Sequence, residues 1–111
     1  YNKLQSDDRN DNIMRLEPLA AKWRAFEWAV AEIDGHSLRG ILSGLRSASA
    51  TQGRPSILIC HTTKGKGVPY MENKPQWHGS VKLTREQAED ALKALQASSD
   101  EIMEFLDVSH S

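Results

Sequence analysis

Cysteine is nearly absent from this sequence: Cys60 stands alone among 111 residues. One thiol excludes an internal disulfide framework and a thiolate metal cluster, and it suits a reducing compartment. Net charge is missing too, since 14 Lys and Arg against 15 Asp and Glu leave −1 at pH 7. That balance gives no reason to expect nucleic acid or an anionic membrane as a partner. No apolar run approaches the ~18 residues of a membrane span. The expectation is a cytoplasmic protein. Aromatic residues make up only 6%, so wherever they gather needs explaining.

They gather partly in a stretch that no regular period describes: Lys64 to Gly79, KGKGVPYMENKPQWHG. Glycine and proline make it unfit for a helix interior, and neither a two-residue nor a 3.6-residue period runs through it. A loop this long between regular elements is functional or disordered, and its interleaved Val68, Tyr70, Met71 and Trp77 argue for order.

The rest reads as scaffold. With 39% hydrophobic and 26% charged residues, the chain suits one small domain with a core. The first residues look like the exit from a strand, as in the distal part of a larger protein. Residues 1–15 hold three Asp and three Asn and read as solvated, turn-rich connection. A helix is predicted from near Glu17, with Pro18 in its first turn, where a missing N–H costs nothing. Leu16, Leu19, Ala20, Trp23 and Phe26 would form its apolar, core-facing side. Residues 28–33, WAVAEI, read as a strand closed by the turn Asp34-Gly35. His36 falls in that turn, as a loop hydrogen-bonder in preference to a catalyst, and Ser37 can cap the next helix. That helix carries Leu38, Ile41, Leu42, Leu45 and Ala48 at helical spacing. Gly40 and Gly44, four apart, would let a neighbouring element come close.

Ser56 to Cys60, SILIC, is an apolar β-branched run of the kind buried on both faces in a parallel sheet. Cys60 reads there as a small buried hydrophobe. Thr84 with Gln87, and Ser98 with Glu101, give two capping signals. Ala88, Ala91, Leu92 and Leu95 follow the first; Ile102, Phe105 and Leu106 follow the second. Val108 to Ser111 read as a frayed end. Strands alternating with amphipathic helices predict an α/β fold, a partial parallel sheet flanked by helices, with right-handed crossovers. In such sheets ligands bind beyond the carboxyl ends of the strands. The loop at 62–82 leaves the end of SILIC, which places Lys64 and His78 in ligand-binding territory.

The chemistry of that loop points to an anion. Lys64 and Lys66 sit between glycines, which let the backbone turn tightly and approach a phosphate. His78, between Trp77 and Gly79, could donate a hydrogen bond or carry a proton near neutral pH. Asn2 offers an amide oxygen of the kind Mg²⁺ or Ca²⁺ accepts, though one amide cannot hold an ion.

Taken together, YNKLQSDD, LEPLAAKWRAFEWAV, EIDGH, HTTKGKGV and MENKPQWHG resemble transketolase, in particular the thiamine diphosphate-binding amino-terminal subunit of the two-subunit bacterial type. The order and spacing of KGKGV, YMEN and WHG are what make the resemblance specific. It implies that residues 1–111 are the carboxyl-side part of a thiamine diphosphate-binding domain. Asn2 would match the asparagine ending the family's GDG…N motif and bind the divalent ion near the diphosphate. The Leu4 carbonyl would join the same ion. Lys64, fourteen residues before His78, would contact the cofactor. His78 would touch the diphosphate and the donor sugar and assist proton transfer. Lys66 and Gly65 match the motif without an assigned role.

The resemblance also implies a reaction: transfer of a two-carbon ketol unit between sugar phosphates, as in the pentose phosphate pathway. It implies an oligomer with a pyrimidine-binding partner subunit. The GDG aspartate, the upstream channel histidines and the glutamate of the pyrimidine-binding domain are absent. A hard cation asking for about six oxygens gets at most two here. The expectation is therefore that these residues alone neither bind the cofactor tightly nor catalyse. A deoxyxylulose phosphate synthase-like enzyme and a non-catalytic fragment or subunit-interaction module are the competing readings.

Overall fold

The computed structural model describes residues 1–79 and 81–108. Two short strands, β1 (Leu4–Gln5) and β2 (Asp8–Arg9), open the chain. They pair antiparallel, Leu4 opposite Arg9. A one-turn helix, α1 (Asn10–Ile13), follows. This corrects the expectation of solvated loop over residues 1–15. The same polar residues suggest why. The Asn2 side-chain oxygen accepts the Leu4 N–H at 2.9 Å, and the two Asp8 oxygens accept the Arg9 N–H at 2.6 Å and the Asn12 amide at 2.9 Å. Asx side chains here replace the partners that a longer sheet would give. Leu4 and Asn10 end up 5% and 6% exposed.

Helix α2 (Leu19–Ala25) starts just after Pro18. The Glu17 carboxylate accepts the Leu19 N–H at 2.9 Å and so satisfies one of the orphan donors of the first turn. Trp23 tilts against Trp28 with ring centroids 4.9 Å apart. Phe26, expected in the core, is 74% exposed. The helix stops at Ala25, so Phe26 sits past its end and leaves the helical face.

Strand β3 (Ala29–Asp34), helix α3 (Leu38–Ala50) and strand β4 (Ser56–His61) form the centre. The two strands are parallel, in register from Ala29 opposite Ser56 to Asp34 opposite His61. The α/β architecture and the parallel sheet read from the sequence are thus present. Ser37 caps α3, its hydroxyl accepting the Gly40 N–H at 3.1 Å. Gly44 is buried over the sheet: a Cβ there would lie 3.4 Å from Ile33 and from Leu58. The apolar stripe of α3 does not all turn inward. Gly40, Ile41, Gly44 and Ala48 approach the sheet, while Leu38, Leu42 and Leu45 are exposed, Leu38 by 79%. Close packing on glycine rotates the helix so that one side of a broad apolar arc faces out.

Only Ile59 of SILIC is buried, and Cys60 is half-buried, against the expectation of a fully buried run. Across from β3, β4 meets Tyr1: the Tyr1 nitrogen donates to the Cys60 carbonyl at 2.7 Å, and Thr62 N–H donates to the Tyr1 carbonyl at 3.1 Å. That is the bonding of a parallel strand partner opposite His61.

The long loop contains a single 3-10 turn, Pro75–Trp77, which packs against β2. Helices α4 (Arg85–Ala94) and α5 (Ser99–Val108) close the chain. The Thr84–Gln87 capping box is formed in both directions, and Ser98 and Glu101 bond reciprocally. Ala88, Ile102 and Leu106 make a small buried cluster with Leu92 and Ala97 packed on it. Leu95 and Phe105, expected on the apolar faces, are exposed. Each lies at the edge of a two-helix contact too narrow to cover it. Of the expected frayed end, Val108 terminates α5 and Ser109–Ser111 lie outside the described residues.

Candidate functional site

The carboxyl ends of β3 and β4 open into a cleft of about 420 Å³. Its size is that of a small-ligand site. Four chain segments build it: Tyr1–Lys3 with Arg9, the turn holding Asp34 and His36, the β4 exit His61–Thr63, and the loop residues Lys66 and Asn73. Among these, Lys3, Arg9 and Lys66 are fixed cations and Asp34 is the single carboxylate. A wall with that excess attracts an anion.

Local sequence places each group. Asp34 and His61 are the last residues of their strands and stand opposite each other in register. Gly35 permits the two strand exits to touch: a Cβ there would fall 2.6 Å from the Thr62 methyl and 3.0 Å from the Cys60 Cβ. The Gly35 N–H donates to the His61 carbonyl at 2.8 Å. The His36 ring accepts the Thr63 N–H through Nε2 at 2.7 Å, and the His36 N–H donates to Asp34 Oδ1 at 2.9 Å. His61 Nε2 lies 2.9 Å from Glu32 Oε2, and Arg24 reaches the other Glu32 oxygen at 3.9 Å. The Tyr1 ring meets His61 edge-on at 5.8 Å between centroids. The Tyr1 hydroxyl donates to Glu17 at 2.9 Å. Partial burial, and then that carboxylate, push the Tyr1 phenol up from its ordinary value. Glu17 is held below the usual carboxylate range, first by the Leu19 N–H and then by the Tyr1 hydroxyl.

The glycine-flanked loop is ordered by its own backbone. Lys66 N–H donates to Thr63 O at 3.3 Å, Val68 N–H to Gly65 O at 3.0 Å and Asn73 N–H to Lys64 O at 2.8 Å. The Trp77 indole donates to Tyr70 O at 3.1 Å, and the Tyr70 hydroxyl donates to Gln87 O. Gly65 adopts φ +69, and a Cβ on it would strike Met71 at 2.8 Å. Only glycine fits there on both counts.

The residues singled out from the sequence are divided by this geometry. Asn2 lines the cleft, and so does Lys66, which had no role assigned. Leu4 is buried in β1, two residues from Asn2. Lys64 is half-buried and His78 exposed, and neither belongs to the cleft lining. His78 follows the 3-10 turn that packs on β2, and Arg9 of β2 does line the cleft. No hydrogen bond among the described residues engages the His78 ring. Sequence reasoning passed over Lys3, Arg9, His61 and Asn73. The one signal for His61 and Asp34 was their place at strand ends; Lys3, Arg9 and Asn73 carry no motif.

Among the described residues no group of three or more His, Cys, Asp or Glu side chains could hold a metal ion. Asn2 Oδ1 accepts the Leu4 N–H at 2.9 Å, and one amide oxygen does not make a site for a hard cation. The cationic lining, by contrast, has the donor chemistry that a diphosphate requires.

Residues 2–104 match the family described as transketolase, thiamine diphosphate binding domain. The 6-deoxy-6-sulfo-D-fructose transketolase subunit SqwG of Clostridium sp. (strain MSTE9) is 44% identical over 96 residues, covering 86% of this chain and 34% of the relative. An apulose-4-phosphate transketolase subunit of Phocaeicola vulgatus is 42% identical over 92 residues, covering 83% and 32%. The corresponding subunit of Actinobacillus succinogenes is 38% identical over 80 residues, covering 72% and 29%. The chain thus spans about a third of the length of these relatives.

Proposed function

The chain belongs to the transketolase thiamine diphosphate-binding domain family, and on that premise we propose that it forms one wall of a cofactor site in a two-subunit transketolase. The observation that carries this reading is the cation-lined cleft at the carboxyl ends of β3 and β4, with Lys66 of the KGKG loop on its rim. Lys3, Arg9 and Lys66 would neutralise the diphosphate, and the polar Asn2 side chain would meet it from the segment that carries Lys3. Lys64 and His78 join from the loop flank, Lys64 as a cofactor contact and His78 as the group that touches diphosphate and donor sugar and moves a proton. When bound, the cofactor supplies the carbon nucleophile that carries a two-carbon ketol unit from one sugar phosphate to another.

A divalent ion, Mg²⁺ or Ca²⁺, would take Asn2 Oδ1 and the Leu4 carbonyl together with diphosphate oxygens and groups outside this chain. The names of the relatives supply the rest of the proposal. All three are named as subunits, which supports assembly into an oligomer with a pyrimidine-binding partner subunit. One is named for a sulfosugar and two for apulose 4-phosphate, so the sugar is not fixed by membership of the family. A cytoplasmic setting rests on the lone thiol of Cys60.

This wall by itself is too sparse for tight binding. Titrating the chain with thiamine diphosphate and Mg²⁺ should shift the amides of Asn2–Leu4 and Thr62–Gly67 with millimolar affinity and give no turnover. Shifts confined to other parts of the chain would overturn the site. Micromolar affinity by calorimetry would overturn the claim that the remaining walls are needed.

A further inference from the structure

Two histidines share the cleft, and their surroundings ask opposite things of them. His61 faces a carboxylate through Nε2, so that nitrogen must carry a proton. His36 accepts a main-chain N–H through Nε2, so that nitrogen must be bare and Nδ1 must hold the hydrogen. The Thr63 N–H it accepts is the last before the KGKG loop, and the Thr63 carbonyl then accepts the Lys66 N–H that starts the turn.

We infer that His36 is a positioning residue: its neutral ring clasps the start of the KGKG loop to the β3 turn and thereby aims Lys66 at the cleft. The clasp is held on the other side by the His36 N–H donated to Asp34, so β3, the turn and the loop form one chain of bonds. Nothing else in the Asp34–Ser37 turn bonds to the loop beyond Thr62 among the described residues. The neighbouring contact, Gly35 N–H to His61 O, lies on the strand side of it.

Acid undoes the clasp. When Nε2 takes a proton from solvent, both ring nitrogens become donors, and two donors face each other across the former bond. The charged and titratable groups that line the same cleft are Asp34 on its own turn, His61 on β4, Lys66 on the loop, and Tyr1, Lys3 and Arg9 on the amino-terminal segment. Asp34 can move to pair with the imidazolium, which would draw it away from Thr63. The start of the loop then loses its bond to the β3 turn.

The inference rests on the anion-site reading only for its binding arm, and its structural arm needs no ligand. Nitrogen-15 spectra of the whole chain should show the His36 ring as the Nδ1–H tautomer near neutral pH. The protection factor of the Thr63 amide, corrected for the intrinsic exchange rate, should fall about 5- to 10-fold as His36 titrates, the size expected for one hydrogen bond. The amides of Lys66 and Gly67 should shift with the same midpoint. His36→Gln keeps an acceptor at the Nε2 position without a titrating group. It should hold the Thr63 protection and remove its pH dependence. His36→Ala should lose protection at every pH. In the binding arm, inorganic diphosphate should bind His36→Ala about 5-fold more weakly than His36→Gln at neutral pH. An Nε2–H tautomer, or Thr63 protection that does not change through the His36 titration, would overturn the clasp. Normal Thr63 behaviour with no diphosphate binding by any variant would overturn the anion site and leave the clasp standing.

Discussion

Gly65 and Gly53 allow the cost of a backbone collision to be separated from the cost of a strained dihedral. Both have positive φ, +69 and +77. Alanine at either position pays for the left-handed conformation, about 1–2 kcal/mol, and recovers about 0.4–1 kcal/mol because alanine loses less chain entropy on folding. Gly53 has nothing within 4 Å of the added Cβ, so Gly53→Ala should cost about 1 kcal/mol or less. At Gly65 the same Cβ lies 2.8 Å from the Met71 Cβ and 2.9 Å from the Met71 carbonyl carbon and oxygen. A main-chain carbonyl cannot swing aside as a side-chain tip can. Overpacking of that kind adds about 1–3 kcal/mol. Gly65→Ala should therefore cost about 2–4 kcal/mol where the loop stays closed.

Opening of the loop can relieve the collision, and the assay must see that. Urea unfolding gives the global term for both variants. Amide exchange at Val68 and Asn73, which donate to Gly65 O and Lys64 O, gives the local one. At ~1.4 kcal/mol per tenfold change, protection at these two amides should drop by about 30-fold or more in Gly65→Ala. It should be unchanged in Gly53→Ala beyond the global shift. Equal costs for the two variants, within about 0.5 kcal/mol, together with unchanged protection at Val68, would refute the reasoning that close approach of Met71 makes glycine obligatory.

Thr84→Ala removes the hydroxyl that accepts the Gln87 N–H and leaves the backbone N–H bond to the Gln87 side chain; it should cost about 1 kcal/mol, read as lost helicity and earlier unfolding by circular dichroism, and Thr84→Ser should restore most of it. The depressed Glu17 carboxyl stabilises the folded chain above the ordinary carboxylate pKa, and that contribution disappears as pH falls through the lowered value. Order at Tyr1, followed by its ring resonances, should therefore fade in that acid window, and Glu17→Gln should flatten the profile over the same range. Leu42→Glu with Leu45→Lys alters two exposed positions of α3 and should change stability by less than about 0.5 kcal/mol. In sedimentation, association of the chain should weaken; unchanged association would show that this stripe is not where copies or partners meet.

The elements that sequence made legible are those whose signal is local and repeated. The Thr84–Gln87 and Ser98–Glu101 pairs cap helices because the bonds span three residues. Strands β3 and β4 were legible because β-branched runs between glycine turns have few alternatives. The site was legible only as a place, the carboxyl ends of a parallel sheet, and as one contributing loop. Lys3 and Arg9 were hidden because a polar segment reads as solvated until its Asx side chains are seen to cap a hairpin. Lys66 rather than Lys64 reaches the cleft. Alternating glycines make the two lysines equivalent on paper, and only the turn closed by Thr63 O and Gly65 O tells them apart. The burial of aromatic and leucine positions was overestimated for one reason. An apolar stripe marks a face that wants covering, without saying which chain covers it.

That last point bears on how this wall is held in shape. Among the described residues no side chain is fully buried, and they extend 52 × 33 × 24 Å with a radius of gyration of 18.2 Å. A compact domain of this length would have one near ~13 Å. Hydrophobic burial is thus weak support for the cleft, and directional bonds between segments take a larger share. Tyr1 is bonded to β4, Gly35 to His61, His36 to Thr63, and Asn73 back to Lys64. Each is a hydrogen bond worth about 1 kcal/mol net, small enough for ligand or partner contacts to outweigh. A cleft built this way is set in outline by the sheet and completed by what binds it. Lys3, Arg9 and Lys66 come to this cleft from separate segments, against the single carboxylate of Asp34 in its lining. An anion that draws on all three would tie their segments together, so anion binding should raise amide protection in the KGKG loop.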